Sequence, residues 1–83
     1  MLNKYDGNDN YGNPKAGYLA KLSAMDDKQL RDACTDKIWL SAYANNNPRS
    51  DYHWQCDACY DECLNRDKVY IYEQSHKYVS SGV

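Results

Sequence analysis

Phenylalanine is absent from these 83 residues, and proline occurs only twice. Branched aliphatic side chains are sparse too, while there are nine Tyr, two Trp and four Cys. A core built from this stock must draw on Tyr, Trp, Ala and Cys, and a buried Tyr hydroxyl needs water or a partner. The length is that of one domain, and so short a domain buries a modest share of its surface. Burial of polar aromatics at an interface suits such a chain, so a homo-oligomer or an obligate binder is expected.

No cluster of Lys or Arg is present, and the formal net charge is -2. Direct binding of DNA or RNA through phosphates is therefore not expected. The acidity is also too slight for a nucleic-acid mimic. No apolar run approaches membrane-spanning length, and the N-terminus lacks the charged and apolar regions of a signal peptide. The expectation is a cytoplasmic protein, with reduced thiols and no membrane contact.

The periodicity is helical from Pro14 onward. Met1 to Asn13, rich in Asn, Asp and Gly, reads as a flexible segment, with 14–83 as the single folded domain. Asp6, Asn8 and Asn10 have the spacing that opens a calcium loop. Tyr11 stands at the required Gly and Gly17 at the required Glu, so a solvated turn is expected. A short helix from about Pro14 to Ser23 puts Leu19 and Leu22 on one side.

Asp26 with Gln29 forms a capping box for a helix from Asp27 to about Ala44. Its broad inner arc holds Leu30, Ala33, Cys34, Ile38, Leu40, Ser41 and Ala44, with Lys37 snorkelling. Trp39 and Tyr43 fall on the opposite side, beside Asp32 and Asp36. Asn45 to Asn47 ends this helix. The next starts either at Pro48, capped by Asn47, or later, capped by Ser50 or Asp51, and runs to about Asn65. Tyr52, Cys56, Cys59 and Cys63 form its stripe, and Trp54 points away near Ala58 and Asp61. Lys68 to Ser80 fits a helix by the spacing of Val69, Tyr72, His76 and Val79, with Asp67 to cap it and Gly82 to end it, although Val69-Tyr70-Ile71-Tyr72 has a strand's composition. The fold expected is all-α: three or four helices around a central antiparallel hairpin, with Cys34, Ser41 and Ala44 facing Cys56 and Cys59.

Three chemistries compete for the polar residues. Cys34, Cys56, Cys59 and Cys63 make a countable zinc set, with His53 as another possible ligand. Zinc knuckles hold C-x-x-C in a turn, however, and these cysteines lie within a patterned helix. Small-hydrophobe packing is the preferred reading, with no cofactor. Under oxidising conditions Cys34 would bridge to Cys56 or Cys59. Cys63 with His76, or Cys56 with His53, would form a nucleophile–base dyad, but no Gly-rich oxyanion element lies near, and an enzyme is not expected. Finally, Arg49-Ser50-Asp51-Tyr52-His53-Trp54 joins a fork donor, a helix start and aromatics, a mix suited to an anion, a nucleotide-like ligand or a protein surface. Arg49, Tyr52, His53 and Trp54 are the first candidates for contact, with Trp39 and Tyr43 second.

The segment Asn46-Asn47-Pro48-Arg49-Ser50-Asp51-Tyr52-His53-Trp54 resembles stretches in small proteins of bacteriophages and their hosts. The Tyr- and Asn-rich acidic make-up is similar to that of phage inhibitors, including anti-CRISPR proteins. The resemblance covers the span Asn45 to Cys63. It implies non-catalytic masking of a host protein, such as a CRISPR or other defence component, and transfers no site residues. The alternatives are an oligomeric helical protein that sequesters a small anionic ligand and a zinc-stabilised structural domain.

Overall fold

The computed structural model describes residues 5–81. These residues contain four helices: α1 (Lys15–Ser23), α2 (Asp27–Tyr43), α3 (Asp51–Asn65) and α4 (Val69–Ser81). The all-α expectation holds. Helices α2, α3 and α4 pack on one another, and α1 lies against the outer side of α3.

The local signals act as the sequence indicates. Asp26 accepts from the Gln29 amide at 2.8 Å, and Gln29 Oε1 accepts from the Asp26 amide at 3.0 Å, completing the capping box of α2. Of the two possible starts for α3, the chain takes the later one. Ser50 caps it, accepting from the Tyr52 amide at 3.2 Å, and Pro48 stays in the connecting turn. The segment after α3 departs from expectation. Asp67 adopts φ 56°, and the Lys68 and Asp67 amides donate to Cys63 and Leu64 carbonyls at 2.9 and 3.0 Å. That is a Schellman stop for α3, with Asp where Gly is usual. Asp67 therefore ends α3 rather than capping α4.

Three cross-links fix the antiparallel register of α2 and α3. Arg66 meets Asp27 at one end, Cys34 meets Cys63 in the middle, and Ser41 meets His53 beside the connection. The expected seam was Cys34, Ser41 and Ala44 against Cys56 and Cys59. In the structure Cys56 leaves that seam, lying roughly 60° round the helix from Cys59 at about 100° per residue. Its Sγ is 3.1 Å from the Tyr72 hydroxyl of α4. The cause is that α3 has a third neighbour in α4, so its cysteine stripe is divided between two partners.

The buried cluster is small: Leu22, Leu30, Cys34, Ala58, Cys59, Cys63 and Ile71. Helix α4 meets α2 through Ile71 and buried Ser75, whose Oγ lies 3.2 Å from the Arg31 carbonyl. It meets α3 through Tyr72, whose ring packs edge-on against Tyr60 with centroids 5.2 Å apart. Two lines of contact are thus needed, and His76, expected on the stripe, is exposed.

Met1 to Lys4 lie outside the described residues. Residues 5–13 form a loop closed on itself, with Asp9 Oδ1 accepting from the Tyr11 and Asn13 amides at 2.9 Å each. Gly7 and Gly12 supply its positive φ angles of 85° and 83°. The loop docks on α3: Asn10 donates to Asp51 and to the Arg49 carbonyl, and the Tyr5 hydroxyl donates to Asp61. Tyr5 folds back onto the body in this way, whereas Tyr11 stays exposed.

Among the described residues no helix is long and apolar enough to cross a membrane.

Candidate functional site

The structure splits the first candidate set. Arg49, His53 and Trp54 line one cleft of about 350 Å³, together with Lys15, Asn10 and Asp57. Tyr52 is elsewhere, with Lys37 Nζ 5.5 Å above its ring, on the side facing α2. The guanidinium of Arg49 has no partner among the described residues.

His53 is committed to the fold. Its Nε2 lies 3.1 Å from the Ala44 carbonyl and 2.9 Å from that of Asn47. Carbonyls only accept, so Nε2 carries the proton. In the neutral ring, Nδ1 then accepts from the Ser41 hydroxyl at 2.7 Å. One imidazole thus closes the end of α2 onto the start of α3 and satisfies carbonyls that the helix end leaves open.

Trp54 is likewise framed on several sides. Its Nε1 donates to Asp51 at 2.8 Å. Tyr18 packs edge-on at 5.6 Å between centroids, Tyr5 at 6.4 Å, and Lys15 Nζ sits 5.2 Å from the ring centroid. The start of α3 is already occupied by Ser50 and by the Asp51 carboxylate, which holds Asn10 and Trp54. An anion entering here would meet Asp51 and Asp57 as well as Arg49.

The cysteines behave as core. Cys34, Cys59 and Cys63 are fully buried, all four are free thiols, and the Cys34 and Cys63 sulfurs are 3.7 Å apart. The neighbouring Cys59 thiol, together with burial, raises the Cys34 pKa, and the Cys34 thiol lowers that of Cys59 against the effect of burial. Burial also pushes the Cys56 and Cys63 thiols up. Among the described residues no three His, Cys, Asp or Glu side chains are grouped to hold a metal, and Cys56 turns away to Tyr72.

The second candidate set stands on open surface. Trp39 is 52% exposed and Tyr43 79%. Trp39 lines a groove of about 550 Å³ between α2 and α4 with Thr35, Asp36, Tyr78 and Val79. Tyr78, itself 73% exposed, is the residue the sequence reading missed. The signal was there: Tyr78 is seven residues from Ile71, two helical turns along the line that contains Ser75. The expected contact line runs instead through Tyr72 and His76.

Comparison of the chain with protein families, curated proteins and solved structures finds no significant match.

Proposed function

We propose that this chain is a non-catalytic binding protein that masks the surface of a host protein, as phage inhibitors of host defence do, acting in the host cytoplasm. The observation that carries this reading is the aromatic face of α2 and α4. Trp39, Tyr43 and Tyr78 stand beside one another in sequence register or across one groove, yet remain largely solvent-accessible. Tyr and Trp supply large contact area at low entropic cost, and they concentrate at the centres of protein interfaces. Several side chains with catalytic potential are occupied internally. Both His53 ring nitrogens are hydrogen-bonded, and three of the thiols are sealed in the core. The partner reading transfers from the loop Arg49–Trp54 to this face, because Trp54 is framed by its own chain.

The test is capture of a partner from bacterial lysate on the immobilised protein, compared among Trp39→Ala, Tyr43→Ala and Arg49→Ala variants of verified helicity. Loss with the first two and retention with Arg49→Ala is expected. Capture unaffected by both Trp39→Ala and Tyr43→Ala overturns the reading.

A further inference from the structure

Resting on that reading, we infer that the groove between α2 and α4 receives a Lys or Arg side chain presented by the partner protein.

Three observations converge on a cation. The first is the pairing of rings with a carboxylate. Trp39 and Tyr78 line the groove together with Asp36. An aromatic face attracts a cation through its quadrupole, and a carboxylate beside it adds the opposite charge. The second is how the chain treats its other rings. Lys15 Nζ sits 5.2 Å from the Trp54 centroid, and Lys37 Nζ sits 5.8 and 5.5 Å from those of Tyr18 and Tyr52. Among the described residues, Trp39 and Tyr78 carry no such cation, and Asp36 has no ion pair. The third is shape. A second hollow of about 600 Å³ shares Thr35, Asp36 and Tyr78 with the groove and continues it past Asp32. The result is an open trough along two helices. Arg31 lies along this continuation, with Asp32 and Asp36 also lining it, and does not line the groove beside Trp39. An open trough leaves much of a small ligand in water, whereas a side chain projecting from a protein surface is covered by its own backbone and neighbours.

A second copy of this chain is the competing occupant, and the charge decides between them. An isologous contact brings the same patch from both subunits together, so it would gather two Asp36 carboxylates at one interface and supply no cation from the patch.

The experiment is an amide and indole NMR titration of the full chain with blocked tripeptides: acetyl-Gly-Arg-Gly-amide, its Lys counterpart, and the neutral citrulline counterpart. The Arg and Lys peptides should shift the Trp39 indole N–H and the amides of Thr35, Asp36 and Tyr78. Citrulline should bind about fivefold more weakly or worse, the loss expected for removing an exposed cation–π contact of about 1 kcal/mol. Asp36→Asn, an exposed substitution, should weaken the Arg and Lys responses and leave the citrulline response unchanged. Equal response to citrulline, shifts centred on the Trp54 indole, or no response overturns the proposal. Shifts that follow protein concentration alone identify a second copy and overturn it as well. The broader masking reading is separable with a captured partner. Binding lost in Trp39→Ala but kept in Asp36→Asn removes the cation and leaves the masking surface, while binding kept in Trp39→Ala, Tyr43→Ala and Asp36→Asn alike removes both.

Discussion

Arg66, the residue just past α3, donates through Nη1 at 3.0 Å to Asp27, the first residue of α2. The same guanidinium donates through Nε to Glu62 at 2.8 Å, and through Nη2 to the Leu22 and Met25 carbonyls at 3.0 and 2.7 Å. One side chain therefore ties the end of α1, the start of α2 and the end of α3. The planar fork matters, because lysine offers a single point of donation and cannot reach four acceptors in these directions. Arg66→Lys and Arg66→Ala are both expected to destabilise the domain by about 2 kcal/mol, from the range for hydrogen bonds to charged groups. Urea denaturation followed by far-UV circular dichroism checks this. An exposed i,i+4 pair alone would cost only about 0.3–0.5 kcal/mol, so a loss of that size refutes the hub.

The two tryptophans should respond in opposite ways. Trp54→Ala removes the ring packed by Tyr18 and Tyr5 and the bond to Asp51. A loss of about 3 kcal/mol is expected, the low end for a core Trp→Ala because the site is partly exposed. Trp39→Ala removes a ring that is 52% exposed. Its effect on stability should stay within about 0.5 kcal/mol. Thermal unfolding of the two variants side by side measures the difference.

Burial predicts thiol reactivity. Cys34, Cys59 and Cys63 are fully buried, and Cys56 is partly so. In the native protein the first three should resist an aromatic disulfide reagent, Cys56 should react slowly, and all four should react once the chain is unfolded. Rapid modification of Cys34 in native buffer would contradict the packing of α2 on α3.

Stability should fall on the alkaline side. Burial raises the pKa of Cys56, Cys63, Tyr5, Tyr18 and Tyr72, and that of Cys34 is raised by the neighbouring Cys59 thiol together with burial. A group whose folded pKa is raised contributes fully below its unfolded value, and the contribution is lost as pH rises toward the folded one. The unfolded values are about 8.5 for Cys and about 10 for Tyr. Denaturant midpoints should thus fall progressively above about pH 8.5, with Cys59, whose pKa is lowered, opposing the trend alone among the thiols. Asp27 sets the other limit. Lys68 and Arg66 hold its carboxyl below the usual range, so its contribution is present above about pH 3.9 and disappears as pH falls through the folded value. Midpoints measured across the pH range, in reducing buffer, test both limits.

The secondary structure was legible because its signals are local. Asp26 and Gln29 are three residues apart, and Ser50 precedes α3 directly, so a capping pattern needs no knowledge of the fold. The antiparallel hairpin follows from two amphipathic helices joined by a short Asn-Pro connection. The duty of Arg66 was not legible. Its bond to Glu62 lies within one helix, but Leu22, Met25 and Asp27 come near only after three helices have docked.

Aromatic placement shows the same boundary. Helical periodicity puts Trp39 and Trp54 off the cysteine seam, and that much the residues state on their own. Periodicity fixes a side chain's angle about its own axis and says nothing of what lies beyond it. The docking of α1 and of residues 5–13 on α3 covers Trp54. Helix α4 settles beside α2 at Ile71 and Ser75 and leaves Trp39 and Tyr78 at the rim of a groove. Sequence therefore determined which residues are helical and which aromatics leave the seam, because both depend on neighbours a few positions away. Tertiary packing alone decided which aromatic became structure and which remained surface, because that depends on helices far apart in the chain.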